Sequence, residues 1–384
     1  MIKAGILNQN ILSILYRIRL KKLISFFLIF VAISGFPQTE KNTFFSTIYI
    51  EGKVHYGFII PHHNEIRALT DGYFPVWEVS IVKQTDGRKP YQYYRHYPQV
   101  RLTYLYSNFG ASEQLGVMNA VLPNINLPLM LREKFTCSFG MGLGLAHLSK
   151  KFDRINNFQN LAIGSNYNAA VRFELSLQFK LAPQLQFNTG LSMLHISNGT
   201  IKSPNYGLNY PAIFAGFDWK VSRKKIKLFK PENQNIKRKK INVRVMGSLG
   251  SKQIINVWDK DFVIIASSLT ISRYYNNTNK ILIGFDGIYD ETIKYFFEEE
   301  GKPTDYWLNI SKFGVNIGHE WTFSKLSIFM NLGYYIHNNN ENNAILYNKL
   351  GINYNFLKFA FVGLNLQTHW AKADFLSVGM GFNF

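Results

Sequence analysis

The chain has 384 residues, 47% of them apolar and 16% aromatic, but only 17% charged. Its single cysteine, Cys137, excludes an internal disulfide, a cysteine-based metal cluster and a disulfide-stapled small fold. The formal charge of +19 is not a nucleic-acid signal, because thirteen of those charges fall in two short stretches, residues 1–22 and 223–240; no nucleic-acid partner is expected.

In chain order, Arg17, Arg19, Lys21 and Lys22 precede the apolar stretch Leu23–Ser34, with turn-forming residues after it. This layout predicts a secretory signal peptide over residues 1–38, since the stretch is shorter than the ~18 to 20 apolar residues of a spanning helix. Strand-like segments follow with almost no helical periodicity. Eight are predicted near residues 45–61, 76–86, 98–109, 115–127, 135–148, 166–181, 185–198 and 208–221. A basic linker over 223–240 comes next, of a kind that faces solvent or anionic lipid headgroups. About eight more strands follow, near 241–252, 262–275, 280–289, 311–323, 326–337, 345–356, 358–370 and 374–384.

The clearest strand alternates Val171, Phe173, Leu175, Leu177, Phe179 and Leu181 with Arg172, Glu174, Ser176, Gln178 and Lys180. An apolar face of this kind meets either a second sheet or lipid. Three features select lipid. The segments are long enough to cross a bilayer at a tilt; tight turns such as Ala182–Gln184 alternate with long polar loops such as 150–164; and the last strand ends on the aromatic Phe384. The fold class expected is therefore all-β, an antiparallel transmembrane β-barrel. One large barrel of about sixteen strands with a polar lumen is favoured over two, because a single terminal strand serves the whole chain.

The run His195–Asn209, HISNGTIKSPNYGLN, carries the candidate chemistry. Side chains at i and i+2 of a strand share a face, so His195 and Ser197 sit together on the mainly apolar, lipid side. By the same parity Asn209 on the returning strand faces that side too. A serine needs a base to take its proton, and the imidazole needs a partner to fix its tautomer; His195, Ser197 and Asn209 have the types for this. Asn198 and Gly199 are candidate oxyanion donors. Lys202 is placed to meet an anionic headgroup, and Pro204, Asn205 and Gly207 read as turn-formers. No metal-ligand cluster or nucleotide loop is found, and this chemistry needs no cofactor.

The same run resembles the signature of the outer-membrane lipid A 3-O-deacylases, the PagL-like family also described as acyloxyacyl hydrolases. His195, Ser197, Asn198, Lys202, Pro204, Asn205, Gly207 and Leu208 match that pattern in register; Asn209 stands where the family has an acidic residue. The resemblance covers about residues 43–222. It implies an eight-stranded barrel with the motif on its last two strands, His195 as general base, Ser197 as nucleophile and Asn198 as an oxyanion contributor. The protein expected is a carboxylic ester hydrolase in the outer membrane of a Gram-negative bacterium. Its expected partners are lipopolysaccharide or lipid A, outer-membrane lipid and the barrel-assembly machinery. The alternatives are a non-catalytic porin-like or structural barrel that retains a degenerate motif, and a soluble secreted β-protein, which the strand lengths disfavour.

Overall fold

In the strand β6 (Tyr167–Lys180), Arg172, Glu174, Ser176 and Gln178 are buried while Phe173, Leu175, Leu177 and Phe179 are exposed. That is the reverse of a soluble sheet, and it is what a strand between a packed interior and lipid requires. The computed structural model describes residues 45–384 apart from 70–71, 111, 231–240, 255–256, 305, 340–344 and 371. The expected signal peptide, residues 1–38, lies outside the described residues, as does the second half of the expected linker.

Among the described residues, sixteen antiparallel strands make up the fold. The first eight are β1 (Ile48–Gly57), β2 (Phe74–Gln84), β3 (Gln99–Ser107), β4 (Met118–Leu131), β5 (Phe135–Leu148), β6, β7 (Leu185–Ser197) and β8 (Leu208–Lys220). The rest are β9 (Asn242–Ile254), β10 (Val257–Tyr274), β11 (Asn279–Asp290), β12 (Ser311–Phe323), β13 (Leu326–Asn338), β14 (Leu346–Asn355), β15 (Ala360–His369) and β16 (Lys372–Asn383). Every strand lies where the alternating pattern predicts one.

Closure differs from the expectation of one large barrel. β1 is flanked by β2 and β8, with Ile50 opposite both Ile81 and Trp219. β9 is likewise flanked by β10 and β16, with Leu249 opposite Ile265 and Val378. The result is two closed barrels of eight strands each, and the single wide lumen is corrected. The interior side chains supply the reason. Arg172 on β6 bonds Glu78 on the diametrically placed β2, and Lys312 on β12 reaches Asp374 on β16 at 3.5 Å. Side chains meet across the axis only in a barrel of about eight strands; one of sixteen would leave these charges lining a water channel.

Each interior neutralises itself. Glu174 lies 2.9 Å from Lys53 and 3.1 Å from Arg101 in the first barrel; Lys252 lies 2.8 Å from both Asp290 and Asp374 in the second. Such pairing offsets the desolvation that buried charges suffer. Towards the end of the first barrel that carries the longer loops, the polar filling gives way to an apolar plug that includes Ile66, Phe74, Leu122, Leu148, Ile196 and Tyr210. The outer walls expose Trp77, Ile81, Leu102, Leu191 and Ile213, and in the second barrel Leu249, Ile283, Ile317, Leu332 and Val378. Apolar walls of this extent belong in lipid. None of the described helices is long and apolar enough to cross a membrane; the strands cross it.

The barrels touch at both ends. At the end with the shorter turns, Arg95, after a five-residue helix at Pro90–Tyr94, donates to Thr278 O and Asn279 Oδ1, both at 3.0 Å, and its guanidinium lies over Phe323. At the other end the contact runs through the loop after Ser197. Phe229, in the described part of the basic stretch, donates its N–H to Asp86 O at 2.7 Å.

Candidate active site

The β7–β8 hairpin sets His195 directly opposite Asn209. Facing residues of an antiparallel pair have Cβ atoms about 5 Å apart, and here the side chains meet: His195 Nδ1 is 2.7 Å from Asn209 Oδ1. Their neighbours Leu194, Ile196, Leu208 and Tyr210 point inward into the apolar plug, which fixes the outward facing of His195, Ser197 and Asn209.

Gly207 closes the hairpin at φ +78°, and a Cβ there would lie 3.1 Å from His195 Cε1 and 3.5 Å from Ser197 Cβ. The histidine and serine therefore converge on a position that only glycine fills without displacement. Among the described residues no hydrogen bond joins His195 to Ser197. Ser197 Oγ instead accepts from Gly199 N–H at 3.1 Å and from Asn205 Nδ2 at 2.8 Å. A hydroxyl has two acceptor sites and one hydrogen, so both acceptor sites are filled and the hydrogen is what remains to be given.

Asn205 does more than turn the chain: its Oδ1 also accepts from Asn198 N–H at 3.0 Å. The Asn198 side chain is engaged within the loops, donating to Lys202 O at 2.9 Å and Ser165 Oγ at 3.1 Å. Gly199 N–H is directed at the serine in this state. Lys202 Nζ pairs with Asp261 of the second barrel at 3.2 Å, both side chains about half exposed. The loop between β5 and β6 braces the hairpin from the other side, where Ala162 O accepts from Gly207 N–H at 2.9 Å.

Parity alone puts lipid beside Ser197. The structure brings the second barrel against the loop that follows: a Cβ on Gly199 would lie 3.2 Å from Leu376 Cβ, and Ser197 itself is only 9% exposed. Thr200 Oγ1 donates to Asp374 O at 2.8 Å, Gln253 N–H to Thr200 O at 2.8 Å, and Ser203 N–H to Gln253 Oε1 at 3.0 Å.

One further residue joins the site from the first strand. Ile60 N–H donates to Asn209 O at 2.9 Å, which carries the β1–β8 contact past Gly57 and brings His62 alongside. His62 Nδ1 is 3.2 Å from Asn209 Nδ2, and His62 Nε2 is 3.0 Å from Tyr206 O. Nothing local in the sequence around His62 signals this; it lies 147 positions from Asn209. Among the described residues no cluster of His, Cys, Asp and Glu could hold a metal.

Comparison with known proteins bears on the family. Residues 76–218 match the family model of the lipid A 3-O-deacylase PagL, and residues 241–384 match that of the acyloxyacyl hydrolase C-terminal domain. Together these span most of the chain. The chain belongs to the lipid A 3-O-deacylase (PagL) family. The second match corrects the limit of the sequence resemblance, which stops near residue 222: the second barrel has a family counterpart of its own. Among curated proteins, none matches the chain in sequence. Solved structures similar to it include neisserial surface protein A, 10% identical over 45% of this chain and 96% of that one with a TM-score of 0.32. Another is the outer-membrane protein Omp33 of Acinetobacter baumannii, 9% identical over 88% and 97% of the two chains with a TM-score of 0.17. In this family member the motif is thus carried by the last hairpin of the first barrel, against the rim of the second.

Proposed function

We propose that this protein is an outer-membrane serine esterase that removes an ester-linked acyl chain from lipid A or lipopolysaccharide. The observation that carries the reading is the bond from His195 Nδ1 to Asn209 Oδ1, on the outward face beside Ser197. A carbonyl oxygen only accepts, so this bond keeps a hydrogen on Nδ1 and leaves Nε2 with a lone pair for the serine proton.

In the reaction His195 Nε2 takes the Ser197 hydrogen as Oγ attacks the acyl carbonyl, forming a tetrahedral oxyanion. The bond between the acyl carbon and the sugar oxygen breaks, and His195 gives its proton to that oxygen, which leaves as the sugar hydroxyl. Water, deprotonated by His195, then attacks the acyl-serine; the acyl–Oγ bond breaks, His195 returns the proton to Ser197 Oγ, and the fatty acid leaves. Gly199 N–H and Asn198 would serve the developing oxyanion by turning from their resting partners, Ser197 Oγ for the first and Asn205, Ser165 and Lys202 for the second. Lys202 offers its charge to a headgroup phosphate, with Asp261 as its resting counter-ion. Asn209 carries no charge to stabilise imidazolium, but an amide serves the orienting role in Cys-His-Asn enzymes. Export by the signal peptide, and recognition of β16, with Val378, Met380 and Phe382 outward, by the barrel-assembly machinery, complete the proposal.

Mass spectrometry of lipid A from cells expressing wild type and Ser197→Ala is the test. Loss of one acyl chain with wild type and not with the variant is expected. Identical acylation would leave the alternative, a non-catalytic barrel with a degenerate motif.

A further inference from the structure

We infer that His62 is a positioning residue that selects the orientation of the Asn209 amide and, through it, the tautomer of His195. The inference rests on the esterase reading and deepens it.

An amide and a carboxylate differ in one respect that matters here. A carboxylate presents an acceptor whichever way it turns, whereas rotating an amide by 180° exchanges acceptor for donor at nearly constant shape. An acidic residue at position 209 would need no control of its rotation. Asn209 needs one, and His62 is the side chain in contact with its far edge, 3.2 Å from Nδ2.

The hydrogen count around His62 decides the direction. Its Nε2 faces Tyr206 O at 3.0 Å, and a carbonyl cannot donate, so Nε2 carries the hydrogen. In the neutral ring Nδ1 is then a bare lone pair, and it accepts from Asn209 Nδ2. This arrangement makes two bonds. Placing the hydrogen on Nδ1 makes one, to Ile60 O at 3.1 Å. Either form sets one carbonyl against a ring lone pair, Ile60 O in the first and Tyr206 O in the second, so the balance is decided by the Asn209 amide hydrogen, which only the first gives an acceptor. With Nδ2 held by His62, Oδ1 faces His195 Nδ1 at 2.7 Å. The reversed amide would give His195 Nδ1 a donor. The His195 hydrogen would then sit on Nε2, where no lone pair remains for the serine proton.

His62 itself is held from two sides. The Ile60–Asn209 backbone bond fixes the chain two residues before it. The His63 ring packs 4.9 Å from the His62 ring and 4.4 Å from that of Tyr206, so both residues that frame His62 are tied into the same corner.

The test uses the full chain in detergent micelles with 15N-labelled histidine, His195 being assigned from its loss in His195→Gln. Wild type is expected to show His195 protonated at Nδ1 and His62 at Nε2, and His62→Ala should move His195 towards the Nε2–H form. In parallel, His62→Ala should lower kcat about twofold with KM little changed, because without the bias one ordinary hydrogen bond supplies the two amide orientations become about equally populated. In an Asn209→Glu background the same change should have little effect on kcat, because a carboxylate has no wrong orientation. An unchanged His195 tautomer in His62→Ala overturns the inference, as does His62 protonated at Nδ1 in wild type or an equal loss of rate in the Asn209→Glu background. If wild type and Ser197→Ala leave lipid A alike, the esterase reading fails, while the nitrogen spectra still decide the role of His62.

Discussion

Gln253 of the second barrel holds Thr200 of the first: its backbone N–H donates to Thr200 O at 2.8 Å, three residues beyond Ser197. Its side chain bridges in the same place, accepting from Ser203 N–H at 3.0 Å and donating to Asp261 at 2.9 Å. The loop that carries Asn198 and Gly199 is thus tied to a separate barrel. Gln253→Ala removes the side-chain bridge and keeps the backbone bond. Losing a hydrogen bond worth about 1 kcal/mol to loop order should lower the deacylation rate several-fold, measured on purified protein with lipid A in mixed micelles, with both barrels still folded.

Gly207→Ala should damage the site more than the fold. The position has φ +78° and an added Cβ would lie 3.1 Å from His195 Cε1. The left-handed backbone costs a non-glycine residue about 1–2 kcal/mol, and displacement of the ring should slow deacylation at least tenfold. Gly301→Ala is the control, at φ +66° with nothing within 4 Å of the added carbon. It should show the same backbone cost with no change in rate.

The interior charges make opposite demands on stability. Glu174 lies within 3.4 Å of Lys53, Arg101 and Arg172, so Glu174→Gln leaves three buried cations short of an anion. A loss of about 3–5 kcal/mol is expected for breaking such a pair, read as a lower temperature for the heat-induced mobility shift on electrophoresis. Asp86→Asn removes a pair whose Arg88 side chain is 58% exposed, and it should cost no more than about 1 kcal/mol.

The outward wall can be tested by reversing its chemistry. Ile213, midway along β8, is 63% exposed. In lipid, Ile213→Arg should destabilise the barrel by about 2–4 kcal/mol, measured by urea unfolding from phospholipid vesicles. A surface facing water would tolerate the arginine with almost no change, and that outcome would remove this face from the bilayer.

The strands were legible because their signal is local. β6 reads as a strand with one apolar and one polar side from Val171 to Leu181 alone, and its polar side is the buried one. The hairpin parity of His195 and Asn209 was legible for the same reason. Their direct opposition was not, since a shift of two residues in register preserves parity while separating the pair. Asn205 reads as a turn residue from its neighbours, yet the site uses its amide to hold Ser197 Oγ.

By itself, the sequence determined the number and facing of the strands, the family motif and the placement of its polar residues on the outward side, all of which follow from side-chain chemistry repeated every second position. Only the tertiary structure decided that β8 returns to β1 and β16 to β9. It alone brought His62 to Asn209 and the rim of the second barrel to the loop after Ser197. Strand pairing uses backbone groups that nearly every residue carries, so the pattern along the chain does not say which edges meet. Pairs such as Arg172 and Glu78, which lie on opposite strands and meet only across a narrow barrel, favour that choice.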